Sequence, residues 1–82
     1  MKTQKKIKLT SIMDVKEFVT VAGDCDFDIN IFYNRMVIDA KSILGVLSLD
    51  LSKALTVEYE GYDRALEEIL DAKDAAKITA VA

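Results

Sequence analysis

The chain contains no histidine and no proline, and it has a single cysteine, Cys25. Without histidine, no nucleophile–base–orienter set can be assembled from its residues. One cysteine excludes an internal disulfide and any cysteine-rich zinc site. No apolar run approaches the ~20 residues that a membrane span needs, and the N-terminus has no signal-peptide core, so a cytoplasmic address without membrane contact is expected. Nothing reads as an internal repeat or a linker. The net charge of −3 at pH 7 makes nucleic acid a poor partner. Eighty-two residues suit one small domain over 1–82, and about half of them are apolar, which favours a folded globule over disorder.

Two periodicities are present. Lys5–Leu9 alternates polar and apolar and predicts a first strand with Ile7 and Leu9 inward. Lys2, Lys5, Lys6 and Lys8 read as its solvated face. Ser11 opens a helix, with Asp14 three residues on as in a capping box. Val15, Phe18, Val19 and Ala22 share one helical face, and Gly23 stands where a left-handed cap would follow. Phe27, Ile29, Ile31 and Tyr33 alternate with Asp28, Asn30 and Phe32 as a second strand. Asn34-Arg35 turns it into a third, Met36–Asp39. Leu55, Val57 and Tyr59 form a fourth strand, bounded by Gly61. Leu66, Ile69 and Leu70 mark a last helix from about Tyr62 to the mid-70s, with Ile78–Ala82 extending it, packing as a tail or fraying. The order is β-α-β-β-α-β-α, an α+β layer architecture. Val15, Phe18, Val19, Leu66 and Ile69 are expected to pack on Ile7, Ile29, Ile31 and Leu55.

Between the third and fourth strands, Ser42 is suited to cap a short, very apolar helix. At helical spacing Val46 and Leu49 face a core, which leaves Ile43, Leu44 and Leu47 partly outside. That small apolar patch beside a hydroxyl is either a docking surface or a piece of core.

Other candidate chemistry fails on inspection. Asp24, Asp26 and Asp28 suggest a calcium loop, but its sixth position is Ile29 rather than glycine and its twelfth is Arg35 rather than glutamate. Glu67 and Glu68 are neighbours on a helix exterior and point apart. The aspartates around Cys25 should raise its pKa. No catalytic residue, metal ligand or cofactor is assigned.

Ala40-Lys41-Ser42-Ile43-Leu44-Gly45-Val46-Leu47-Ser48-Leu49 resembles the regulatory-serine segment of HPr, the phosphocarrier of the bacterial sugar phosphotransferase system. A weaker resemblance runs from about Lys6 to about Leu70. It implies an open-faced β-sandwich, with a four-stranded antiparallel sheet covered on one face by three helices. The family's phosphoryl-accepting histidine begins the first helix and is followed closely by an arginine and a proline. Ungapped alignment puts Ser11, Met13 and Asp14 at those positions. They remove the nucleophile and the cation and add a negative charge. At the hairpin, Arg35 replaces the family's usual glycine, at a cost of about 1 kcal/mol if that position needs positive φ. Asp50 and Ser52 stand in a loop where the family tends to carry glycine. Ser42 keeps its surroundings, and a phosphoserine there would be favoured by the helix dipole, with Lys41 screening it further. In HPr-like proteins of low-GC Gram-positive bacteria, a dedicated kinase modifies this serine, and the product acts as co-repressor for the catabolite control regulator. One paralogue in that group also lacks the histidine.

Three readings follow. The first is a regulatory binding module acting through Ser42 and the Ile43, Leu44, Leu47 surface. Its partners would be an HPr-type kinase, a transcriptional regulator or another phosphotransferase-system component. The second is a phosphocarrier whose acceptor has become Ser11. The third is a diverged assembly module, monomeric or weakly dimeric.

Overall fold

The computed structural model describes residues 2–79. In chain order these form β1 (Thr3–Ile7), α1 (Ile12–Gly23), β2 (Ile29–Tyr33), β3 (Met36–Asp39), α2 (Ile43–Leu47), β4 (Leu55–Tyr59), α3 (Arg64–Ala72) and α4 (Ala75–Thr79). The strands make one antiparallel sheet in the order β1-β4-β2-β3, an α+β open-faced sandwich as expected.

Directly paired residues share a face of a pleated sheet, so the register sorts every strand residue. Lys5, Val57, Ile31 and Ile38 form one row across the inner face, and Ile7 and Leu55 begin the next. Lys6, Thr56, Phe32 and Val37 form a row on the open face, as do Gln4, Glu58, Asn30 and Asp39. Against the inner face α1 buries Val15, Phe18 and Ala22, and α3 buries Leu66, Ile69 and Leu70. Val19, expected in this core, is only half-buried at its margin.

Each longer helix begins on a side-chain cap, which satisfies amide groups left free in its first turn. Ser11 Oγ accepts from Asp14 N at 3.2 Å, and Asp63 Oδ1 accepts from Leu66 N at 2.9 Å. Gly61 lies at φ +154 against Phe27, where any Cβ would sit 2.6 Å from the ring. That approach lets Phe27 stack on Tyr59 with ring centroids 6.0 Å apart.

Several local expectations are corrected. β1 runs two residues earlier than the alternation suggests, although Leu9 is fully buried beyond its end. Lys5 is not part of a solvated face. It shares the parity of Ile7 and turns inward, and its ammonium meets Glu67 at 2.7 Å. Glu67 is correspondingly not an exterior residue, because the outer strand offers it this cation. Gly23 takes no left-handed cap: it is the last residue of α1, and Asp24 caps with φ −81. At the hairpin the positive φ falls on Asn34 (φ 55), not on Arg35, so the glycine replaced there was not needed and no penalty arises. The last helix divides in two. Lys73 leaves helical geometry, and Asp74 caps a new turn by accepting from Ala76 N at 2.8 Å. Ile78 and Thr79 continue α4, whereas residues 80–82 of the expected tail lie outside the described residues.

Candidate functional site

The site begins with the tight connection between β3 and α2. Asp39 organises it: its carbonyl accepts from Ser42 N at 3.0 Å and its Oδ1 from Lys41 N at 2.9 Å. Ser42, extended at φ −98 and ψ 107, then caps α2, its Oγ accepting from Gly45 N at 3.2 Å. Val46 and Leu49 are buried. Leu44 is 79% exposed, and Ile43 and Leu47 are also exposed, so the division between core and surface falls where helical spacing places it. Ser42 is itself exposed, at the edge of this apolar surface.

Gly45 holds α2 close to the sheet. A Cβ there would lie 2.8 Å from Ile38 Cγ2 and 3.2 Å from Ser42 Oγ. Its small size therefore serves both the packing on β3 and the room around the capping hydroxyl. Sequence reasoning passed over this glycine, although a glycine inside a short helix is a signal of close approach. Lys41 does not screen Ser42. Its ammonium reaches across to donate to the Cys25 carbonyl at 2.8 Å, pinning the start of α2 to the end of α1. Beyond α2, Asp50 Oδ1 accepts from Ser52 N at 3.0 Å and from Ser52 Oγ at 2.6 Å. This side-chain turn does the work of the expected glycines.

The start of α1 is a second, separate place. Ser11 is exposed and Met13 is 71% exposed, with Ile12 beside it. Asp14 is held firmly. Its Oδ2 accepts from Thr10 N at 2.9 Å and from Thr10 Oγ1 at 2.8 Å, and its Oδ1 receives Lys73 Nζ at 2.9 Å. The Lys73 hydrogen bond, with those from Thr10, lowers the Asp14 pKa to about 2. Glu17 adds a further contact to Lys73 at 3.4 Å. The carboxylate stays charged at neutral pH, so a second anion arriving at this helix end meets like charge. Lys73 carried no sequence signal of this role, because the break in the last helix is what delivers it.

Other titratable groups are structural. Burial, then Asp63, pushes the Cys25 thiol up, so it is not an activated nucleophile. Tyr59 donates to Glu67 Oε2 at 2.5 Å, and burial together with that bond raises the phenol pKa. Burial would raise Glu67, yet Lys5 and Tyr59 outweigh it and the pKa falls. Asp24, Asp26 and Asp28 are exposed.

Two comparisons with known proteins bear on the family and the fold. Residues 14–75 match the family model described as the PTS HPr component phosphorylation site. The matched segment contains Ser42 and all of α2 and begins after Ser11. The fold is similar to the crystal structure of a phosphocarrier protein HPr from Bacillus anthracis str. Ames, with a TM-score of 0.67 and 26% identity over 89% of this chain and 98% of that one. A sheet of this order carrying helices on one face, a capping serine ahead of an apolar turn, and a family match across most of the chain lead to one assignment: the chain belongs to the HPr family of the phosphotransferase system.

Proposed function

We propose that this HPr-family member is a regulatory binding module rather than a phosphocarrier or an enzyme, and that it works in the cytoplasm through Ser42 and the surface of Ile43, Leu44 and Leu47. The observation that carries the reading is the exposed Ser42 hydroxyl beside a Leu44 side chain that is 79% exposed. A kinase of the HPr type would move the γ-phosphoryl group of ATP onto Ser42 Oγ, releasing the hydroxyl proton and ADP. A phosphate oxygen can then take over the bond from Gly45 N, so the modification needs no refolding. Lys41 remains bound to Cys25, which leaves the new charge for a basic partner surface, while the three apolar side chains supply contact area. The partner is a transcriptional regulator or another phosphotransferase-system component.

The carrier reading would put the phosphoryl group on Ser11. The fixed Asp14 carboxylate opposes this, and the chain has no histidine to act instead. Intact-mass measurement separates the two readings. Incubation with the system's first enzyme and phosphoenolpyruvate is expected to add nothing, whereas an HPr-type kinase with ATP is expected to add one phosphoryl group. Stoichiometric phosphorylation in the first reaction would establish a carrier.

A further inference from the structure

The two edges of the sheet differ in how well they are protected. β1 carries Lys5 and Lys6, and its end is covered: Lys8 N donates to the Lys73 carbonyl at 2.8 Å, and Ile7 bridges to Asp74. Lysines and covering segments keep an edge strand from pairing with another chain. β3 has neither lysine nor proline, and its register with β2 runs without a bulge. Met36 is 47% exposed and Val37 56%.

The register also shows which backbone groups face the empty side. Tyr33 and Met36 close a two-residue hairpin and so form a hydrogen-bonded pair. The alternation of an antiparallel ladder makes Ile31 and Ile38 the next such pair, and Ala40 N donates to the Ile29 carbonyl at 2.9 Å. Met36, Ile38 and Ala40 thus turn their backbone groups toward β2, whereas Val37 turns both of its groups outward and Asp39, whose carbonyl accepts from Ser42 N, turns its N–H outward. The side chains of Val37 and Asp39 lie on the open face, opposite Phe32 and Asn30, and Arg35 is exposed in the turn two residues before Val37.

We infer that β3 is a self-complementary interface that pairs antiparallel with β3 of a second copy of this chain, about a twofold axis at Val37. In this register Val37 exchanges both backbone hydrogen bonds with its counterpart. Arg35 faces Asp39 of the second copy, and Asp39 faces the Arg35 there, so two opposite-charge pairs form. Both residues are exposed, and Arg35 has no ion-pair partner among the described residues. On the open face Phe32 and Val37 of each copy meet in one apolar row, and on the inner face Met36 meets Ile38. A register shifted by one residue fails, because it would set Val37 against Ile38, whose backbone groups are already used by β2. An extended segment of another protein could occupy the same edge, but only a second copy supplies both Arg35–Asp39 pairs. The contact is small, so the dimer is weak and concentration-dependent.

Sedimentation equilibrium from micromolar to millimolar protein tests the proposal. The wild type should show a monomer–dimer equilibrium. Arg35→Asp, which sets carboxylate against carboxylate twice, should weaken it by roughly tenfold or more. The double variant Arg35→Asp, Asp39→Arg should restore it. Because Asp39 also supports the turn into α2, Val37→Lys provides an independent disruption at an exposed position, with thermal melting to confirm the fold. A Val37→Cys variant should form an intermolecular disulfide on mild oxidation, since paired Cα atoms there lie about 5.5 Å apart, and Met36→Cys should not. A wild type that stays monomeric throughout overturns the inference. So does a dimer indifferent to both Arg35→Asp and Val37→Lys, or an edge that takes up only an unrelated peptide.

Discussion

Lys73 Nζ lies 2.9 Å from Asp14 Oδ1, joining the α3–α4 break to the first turn of α1 across 59 positions of sequence. Both side chains are mostly shielded, with 18% and 19% of their surfaces exposed. The pair ties down the first turn of α1, which Ser11 caps.

Because this contact, together with the hydrogen bonds from Thr10, lowers the Asp14 pKa from 3.8 to about 2, the stability they contribute is present above about pH 4 and is lost as the pH falls through 2. Lys73→Met should cost about 1 kcal/mol at pH 7 after allowance for solvent screening, and the loss should shrink toward pH 2. Denaturant melts of the two proteins between pH 2 and 7 measure the difference. A gap that does not narrow in acid would show that the side chain acts through packing alone.

Adjacent glutamates should behave differently. Glu67 receives Lys5 at 2.7 Å and Tyr59 at 2.5 Å, whereas Glu68 meets Arg64, at 3.6 Å on the exposed side of α3. Glu67→Ala is expected to destabilise by about 1–3 kcal/mol, since it strands a buried hydroxyl. Glu68→Ala should change stability by less than about 0.5 kcal/mol. Urea titration of both variants decides the point.

Two glycines in helices make a similar contrast. Gly23 has negative φ, and nothing among the described residues lies within 4 Å of the place a β-carbon would take, so Gly23→Ala should stabilise by roughly 0.5–1 kcal/mol. Gly45→Ala would drive a methyl group to 2.8 Å from Ile38 Cγ2. It should destabilise by about 1–3 kcal/mol despite alanine's better helix propensity. Equal shifts in melting temperature for the two would refute the close-approach role of Gly45.

What the sequence made legible was local and periodic. Val46 and Leu49 against Ile43, Leu44 and Leu47 followed from helical spacing, and the faces of β2 and β4 followed from alternation. Ser11 and Ser42 were readable as caps because a cap depends on neighbours two or three residues away. Contacts between distant segments were not readable. Lys5 reaches Glu67 and Lys41 reaches the Cys25 carbonyl only once the helices have settled on the sheet. The divided last helix did leave a trace, since Asp74 is a good capping residue two positions ahead of Ala76. Continuous apolar spacing through Leu66, Ile69 and Leu70 hid it.

The regulatory reading is tested most directly by the rate at which an HPr-type kinase transfers phosphate from ATP to the wild type, Ser42→Ala and Leu44→Asp. Ser42→Ala loses the cap of α2 and up to about 2 kcal/mol of stability, so all three are compared below their melting transitions. The expected result is one phosphoryl group on the wild type, none on Ser42→Ala, and roughly tenfold or greater loss of kcat/KM for Leu44→Asp, whose exposed position leaves the fold intact. A wild type that stays unlabelled by a kinase active on ordinary HPr, or a Ser42→Ala variant labelled equally well, would contradict the account.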